Sequence, residues 1–435
     1  MRWVTGVVAL IISLPVQAQQ TPAAGGAPQH LEVTLTEAIQ RALLVQPAMV
    51  QAIGADRNAG AGRRTALGAY LPTVSVNAST SKGNTGRTDN QTGLFIPPVR
   101  SYGGGINANL ELFDGFRRIA NLRGASASSA AADAGLVNQR FQVTLGTKQA
   151  FYNALATEEL LRVAESQVRR AQQQLQISVE KLRAGSATRS DSLRSTVDYG
   201  NARIALLQAQ ANLATAQATL GRQIGVDQPV RAVPDSALPD LPDLAALRAY
   251  SLDDAPQVQQ TEAQATAARA QVWAARTQYL PSLSVSYSDN RQGPKSPQLP
   301  TFSNLPDSYR WTFGVTWPIL NGFQREQNQV TASVNRDNAE AVAADTRRLV
   351  NTQLTQQIAA MTTAYAKIEI ARANVAAATE DLRVQNERYR VGAATILDLL
   401  TSQTALTTAE GNLVQARFDY LIARAQVEAL VGRTL

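Results

Sequence analysis

Residues 182–193 read Leu-Arg-Ala-Gly-Ser-Ala-Thr-Arg-Ser-Asp-Ser-Leu, and residues 389–400 read Tyr-Arg-Val-Gly-Ala-Ala-Thr-Ile-Leu-Asp-Leu-Leu. Gly185, Thr188, Asp191 and Leu193 return at the same spacing as Gly392, Thr395, Asp398 and Leu400. A tight reversal between antiparallel helices calls for a residue that tolerates positive φ, and glycine does so cheaply. An aspartate in the first turn of the following helix is favoured by the helix dipole. Each segment therefore predicts one helix ending and another running back beside it. Upstream, Leu161, Ala164, Val168, Ala171, Leu175, Ser178 and Leu182 advance in steps of three and four, a heptad seam repeated by Ile368, Ala371, Val375, Ala378, Leu382, Gln385 and Tyr389. Downstream, Ala202, Leu206, Ala209, Leu213, Ala216 and Leu220 match Ala409, Leu413, Ala416, Tyr420, Ala423 and Val427. The first return helix also carries Ile204, Leu207, Ala211, Ala214 and Ala218, a second seam about 150° from the first. Two opposed apolar flanks need a neighbour on each side. With Gln, Asn, Thr and Arg on the remaining faces, this describes a wall of helices that can close into a tube, in preference to a buried bundle.

Prolines mark where such helices cannot run. The chain has 18 Pro, yet none lies between Pro98 and Pro229 and none follows Pro318. Interior proline costs a helix about 3 kcal/mol, so these gaps admit very long helices. The expected bounds are 115–184 and 322–391 for the long helices, and 187–224 and 394–431 for the return helices. A helix over about 33–70, broken or kinked at Pro47, precedes the first set, and one over about 252–279 precedes the second. At 1.5 Å per residue the long helices would reach roughly 105 Å and the return helices roughly 57 Å. Two half-length helices end to end would thus flank one full-length helix. The layout is duplicated in its motifs. Tyr70-Leu71-Pro72-Thr73-Val74-Ser75-Val76 returns as Tyr279-Leu280-Pro281-Ser282-Leu283-Ser284-Val285, and Asp114-Gly115-Phe116-Arg117-Arg118 as Asn321-Gly322-Phe323-Gln324-Arg325. Two tandem repeats follow, 31–225 and 251–435, joined by a Pro-rich connection at 226–250.

Four short segments alternate with period two. Val74, Val76 and Ala78 are interleaved with Ser75, Asn77 and Ser79, and Ile106, Ala108, Leu110 and Leu112 with Asn107, Asn109 and Glu111. Leu283, Val285 and Tyr287 alternate with serines, and Trp311, Phe313, Val315 and Trp317 with Arg310, Thr312, Gly314 and Thr316. These predict strands at about 72–81, 103–113, 281–288 and 309–317, each with one apolar and one polar face. Their length suits a membrane-spanning β-barrel, and Tyr309, Trp311 and Trp317 suit its interfacial aromatic girdles. Gly-, Asn-, Pro- and Ser-rich segments at about 82–102 and 289–308 read as loops. Four strands cannot close a membrane barrel, whose smallest form has eight, and an open edge in lipid is costly. Several chains must therefore pool their strands if they span a membrane. Polar inward residues such as Asn107, Asn109 and Thr312 favour a watery lumen and hence three chains over two.

Composition removes other functions. The 435 residues contain no Cys and one His, so thiolate chemistry, disulfide frameworks, Ser-His-Asp catalysis and multi-His metal sites are not expected. Lys and Arg number 41 against 34 Asp and Glu, a net charge of +7. The arginines are scattered and no nucleic-acid-binding signature accompanies them. Met1-Arg2, the apolar run Val7 to Leu14, and Val16-Gln17-Ala18 have the layout of a secretory signal peptide over 1–18, followed by a flexible leader at 19–30.

Taken in order, the signal, the duplicated layout, the Tyr-Leu-Pro strand start, Leu112-Phe113-Asp114-Gly115 and the Gly392-x-x-Thr395-x-x-Asp398-x-Leu400 turn resemble the TolC family of outer-membrane efflux and type I secretion proteins. The resemblance implies a homotrimer in the outer membrane of a Gram-negative bacterium. It implies a mostly α fold with a small β part, in which twelve strands form a transmembrane β-barrel and coiled-coil helices an α-barrel across the periplasm. Such a channel-tunnel is no enzyme, needs no cofactor, and passively conducts drugs, metals or secreted proteins. Its partners are a periplasmic adaptor protein, an inner-membrane transporter and outer-membrane lipid. The absence of Cys fits the branch without a lipid anchor.

By resemblance, Asp191, Tyr389 and Asp398 fall at the entrance-closing positions, where three copies of Asp398 would ring the axis, raise one another's pKa and attract cations. The plainer role for both aspartates is to cap the return helices. Ala394 stands where the best-known member has arginine and Thr401 where it has a second aspartate, so the lock here is weaker or uses Arg189. Leu182, Arg183, Gly185, Arg390, Val391 and Gly392 form the turn tips that would meet an adaptor. Arg117, Arg118 and Arg325 either meet phospholipid headgroups or are ordinary solvated arginines. A periplasmic coiled-coil scaffold without transport activity is the competing reading.

Overall fold

The computed structural model describes residues 31–435 apart from 85, 89–90, 92, 97–98, 235–237, 251, 295 and 298–302. The expected signal peptide and leader lie outside the described residues. In chain order the elements are β1 (Leu31–Val33), α1 (Leu35–Val45), α2 (Pro47–Gly68), β2 (Thr73–Lys82), β3 (Arg87–Thr88), β4 (Phe95–Ile96), β5 (Arg100–Phe113), α3 (Arg117–Arg183) and α4 (Arg189–Ile224). There follow β6 (Val230–Ala232), α5 (Leu244–Arg248), a single 3-10 turn (Leu252–Asp254), α6 (Pro256–Thr277), β7 (Ser282–Gly293), β8 (Asp307–Thr316), α7 (Gln324–Arg390) and α8 (Ile396–Val431). Both long helices, α3 and α7, have 67 residues, and both return helices, α4 and α8, have 36. Pro47 occupies the first turn of α2, where its missing N–H costs nothing, so the chain bends there and helix resumes.

The helices form a wall one layer thick. Helix α3 packs against α2 and α4 on one flank and against α6 and α8 on the other, and α7 packs against α6 and α8. Half-length helices therefore stack end to end beside full-length ones. The seams show which flanks are closed. On α4, Ala202, Ala216 and Leu220 are buried against α3, whereas Ile204 and Leu207 on the second seam are 66% and 64% exposed. On α8, which has a long helix on each side, Leu406, Ala409, Val414, Ala416, Phe418, Tyr420, Ala423 and Val427 are all buried. The α3–α8 seam is also bridged by charge, through Lys148–Glu428, Glu159–Arg417 at 3.1 Å and Arg170–Glu410 at 3.0 Å.

The core is thickest at mid-height. There β1 pairs in parallel with β6, and Val33, Phe151, Leu220, Ile224, Val230 and Phe418 share one cluster. The connection between the halves packs beside it: Tyr420 donates through its hydroxyl to Asp240 O at 2.8 Å, and Tyr250 to Val431 O at 2.6 Å. The β1–β6 pair was not expected, because three residues are too few to show a period.

The four longer strands form one antiparallel sheet in the order β2-β5-β7-β8. This is also the order of the helix columns to which the strands connect. Register gathers Val74, Val76, Ile106, Ala108, Leu110, Leu283, Val285, Tyr287, Tyr309, Trp311, Phe313 and Val315 on one face. The other face carries Ser75, Asn77, Asn107, Asn109, Ser284, Ser286, Ser288, Asn290, Arg310 and Thr312. Strands β2 and β8 are open edges, and the apolar face is bare: Val76 is 74% exposed and Phe313 71%. Among the described residues no helix is long and apolar enough to cross a membrane.

Several bounds differ from expectation. Strand β7 continues to Gly293 and β8 starts at Asp307, so part of the expected 289–308 loop is strand. Its polar residues pair with β5, where Gly105 lies so close that a Cβ would stand 2.6 Å from Asp289 O. The expected 82–102 loop contains the small β3–β4 hairpin. The long helices start two residues late because Gly115 and Phe116, and likewise Gly322 and Phe323, lie in the left-handed region. The return helices start late because Thr188 and Thr395 are extended N-caps.

Candidate functional site

Two regions carry the repeated motifs: the turns at the foot of the helical wall, and the junctions between strand and long helix at its head. At the foot, α3 ends with Gly185 at φ +75° and α7 with Gly392 at φ +79°. Ser186 N donates to Lys181 O at 2.8 Å and Gly185 N to Leu182 O at 3.0 Å; Ala393 N and Gly392 N do the same to Arg388 O and Tyr389 O. These paired bonds close the last turn of a helix around a left-handed residue. Each return helix then starts with a reciprocal cap. Thr188 donates from its backbone N and its hydroxyl to Asp191 Oδ2 at 3.0 and 2.8 Å, and its hydroxyl oxygen accepts from Asp191 N at 3.2 Å. Thr395 and Asp398 repeat this at 2.9, 2.8 and 3.3 Å. The bonds from Thr395 and the nearby Arg388 hold the Asp398 carboxyl below its ordinary range.

The other expected tip residues are placed as follows. Tyr389 is buried in a cluster with Leu382, Ile396, Leu399 and Leu406, against which Ala394 packs. Its hydroxyl has no hydrogen-bond partner, and it does not meet Asp191. Its ring lies 4.0 Å from Lys181 Nζ, which also donates to Tyr389 O. This link between α3 and α7 escaped the sequence reading, since Lys181 reads only as a basic residue in a last helical turn. Arg189 and Asp398 are exposed, Asp191 and Leu182 half-buried. Thr401 donates back to Leu397 O at 2.8 Å. Arg183 is exposed, and Arg390 pairs on the surface with Glu387 at 3.0 Å. Val391 and Leu397 project from the second turn, 70% and 57% exposed.

At the head, the Tyr-Leu-Pro and Gly-Phe motifs meet. Arg118 sits 5.0 Å from the Tyr70 ring, donates to Leu112 O at 3.0 Å and pairs with buried Asp114 at 3.3 Å. Arg325 sits 4.7 Å from the Tyr279 ring and donates to Pro318 O at 2.7 Å and Ile319 O at 2.9 Å. Neither is an ordinary solvated arginine: each ties the exit of a strand to the tyrosine that starts its neighbour. Arg117 is half-exposed and pairs with Glu111. Arg325→Ala removes two hydrogen bonds from a charged donor to carbonyls at the junction and a cation–π contact. We expect a loss of about 3 kcal/mol, read as a lower unfolding temperature, with Arg325→Lys intermediate. An unchanged unfolding temperature would contradict this role. Higher on the sheet, Tyr309 and Trp311 are 71% and 61% exposed, and Trp311 packs on Tyr287 with ring centroids 4.8 Å apart, whereas Trp317, 60% exposed, lies at the junction and donates from its Nε1 to Tyr279 O at 3.2 Å.

Comparison with known proteins agrees with this geometry. Residues 38–226 and 247–433 match the outer membrane efflux protein family. The outer membrane efflux protein BepC of Brucella suis is 26% identical over 381 residues, covering 85% of this chain and 78% of its own. The alkaline protease secretion protein AprF of Pseudomonas aeruginosa is 22% identical over 352 residues, covering 76% and 70%. The Campylobacter jejuni CmeC outer membrane channel superposes with a TM-score of 0.78 at 18% identity, covering 92% of this chain and 85% of its own. With both halves matched, the wall of long helices and the four-stranded sheet are explained together: the chain belongs to the outer membrane efflux protein family and is an outer-membrane export channel.

Proposed function

We propose that three copies of this chain form a channel-tunnel that passively conducts cargo from a periplasmic entrance to the cell exterior. The observation that carries this reading is the pair of open edges. Because the sheet holds four strands in strict antiparallel alternation, β8 of one copy runs antiparallel to β2 of the next, so the ladder continues without a break. The helix columns end in the same sense, with α2 and α4 at one edge and α7 at the other. Three copies give twelve strands, enough for an aqueous lumen. The apolar face meets lipid, with Tyr309, Trp311 and Trp317 at the interfaces, and the polar face lines the passage.

In this arrangement the two turns form the periplasmic entrance. Asp398, Asp191, Arg189 and Thr401 surround it, with Tyr389 packed behind them against α8, and Leu182, Arg183, Gly185, Arg390, Val391 and Gly392 offer an adaptor protein its docking points. An inner-membrane transporter supplies the energy. Cargo is small molecules or secreted proteins, a choice made largely by the transporter and adaptor. The test is the mass of the detergent-extracted outer-membrane protein by native mass spectrometry. Three copies are expected. A monomer leaves four strands that cannot close, and a soluble periplasmic protein would turn the reading into a scaffold.

A further inference from the structure

The polar face of the sheet is almost without charge. Strand β2 contributes Thr73, Ser75, Asn77, Ser79 and Ser81 to it, and β7 contributes Ser284, Ser286, Ser288, Asn290 and Gln292. On β5 and β8 the same face carries two charges, Glu111 and Arg310. Glu111 lies at the helical end and is paired with Arg117 at 3.0 Å. Arg310 stands beside Ser288 in the register and is exposed, with no ion pair or side-chain hydrogen bond among the described residues. Its neighbours in sequence, Tyr309 and Trp311, point to the opposite face, so Arg310 lies at the height of the aromatic residues.

We infer that Arg310 from three copies forms a cationic ring inside the β-barrel that binds the anionic groups of passing cargo, carboxylates, phosphates or sulfonates. The inference rests on the trimeric reading above, in which the polar face lines the lumen. Assembly does not quench the charge. The strand that would meet β8 is β2 of the next copy, and its polar face offers only Ser, Thr and Asn, so no register brings a carboxylate to Arg310 from that strand. A guanidinium keeps its charge at all working pH values and presents a planar fork of donors that matches carboxylate and phosphate oxygens. Rings of arginine or lysine are a general device for favouring anions in a pore, and three charges converging on one axis reinforce one another where salt is low. The surrounding hydroxyls and amides supply further hydrogen bonds without competing charge. The ring also differs in sign from the aspartates at the entrance, so the two ends of the passage would select by opposite rules.

The experiment uses the full trimer in a planar bilayer, with citrate, a trivalent anion, added on the side that the barrel opens to. Wild type is expected to show citrate block that weakens as salt rises. Arg310→Ser should lower the apparent citrate affinity by about tenfold or more, while the trimer mass is retained and the trimer still conducts. Arg310→Lys should keep most of the block, since it keeps the charge. Equal block in wild type and Arg310→Ser trimers overturns the ring while leaving the channel reading intact. If the wild type forms no conducting trimer, both fall together.

Discussion

Leu207→Asp is expected to abolish the trimer while leaving the single chain folded. Leu207 and Ile204 lie on the flank of α4 that no element of the same chain covers, at 64% and 66% exposure. The equivalent flank of α8 is closed by a long helix of its own chain. If the next copy's α7 closes the α4 flank, as its exposed Ile370, on the flank away from α8, suits it to do, an aspartate at 207 is enclosed in an apolar seam without a partner. An uncompensated charge in such a seam costs about 3 kcal/mol or more, and symmetry imposes it three times per assembly. Native mass spectrometry should show monomers, with helical circular dichroism preserved. Asn212→Asp, which adds the same charge on α4 away from both seams, should leave trimers intact. Trimers of Leu207→Asp with wild-type stability would mean that this flank faces water.

The parts of this fold that were legible in the sequence are those fixed by local chemistry. Gly185 and Gly392 announced the turns because the backbone there needs positive φ, and the heptad steps announced the seams because helical period does not depend on the partner. The unpartnered seam on α4 was legible for the same reason, though its occupant was not. What the sequence concealed is long-range or conformationally costly. Phe116 and Phe323 take φ of +68° and +64°, a region bulky side chains rarely enter, so the starts of α3 and α7 were read two residues early. The pairing of Arg118 with Tyr70 and of Arg325 with Tyr279 joins motifs far apart in the chain. Both members were visible as repeats, but repetition alone does not say that two motifs touch. Lys181 gave no signal at all, since nothing local distinguishes a lysine that caps its own helix from one that crosses to Tyr389.

Asp398 shows how one side chain holds two roles that substitution can separate. Its carboxylate closes the cap on α8 by accepting from Thr395 N and Oγ1. In the proposed trimer the same carboxylate also points charge at the entrance. Asp398→Ala removes both. The first turn of α8 should loosen, and resting conductance should rise while block by divalent cations falls. Asp398→Asn keeps an oxygen that can accept from Thr395 N, so the tip should stay packed and conductance low, but cation block should still be lost. The pH dependence has a definite sign. Within one chain, bonds from Thr395 and the charge of Arg388 lower the carboxyl's pKa. The ionised cap therefore persists below the ordinary aspartate value of about 3.9, and its stabilisation is present above that value and lost as pH falls through the lowered one. Three such groups near one axis push the other way, each raising its neighbours. Cation block that survives to below about pH 4 means the cap dominates. Block that titrates away above that means the carboxylates crowd one another at the axis. Unchanged conductance and block in both variants would remove Asp398 from the entrance.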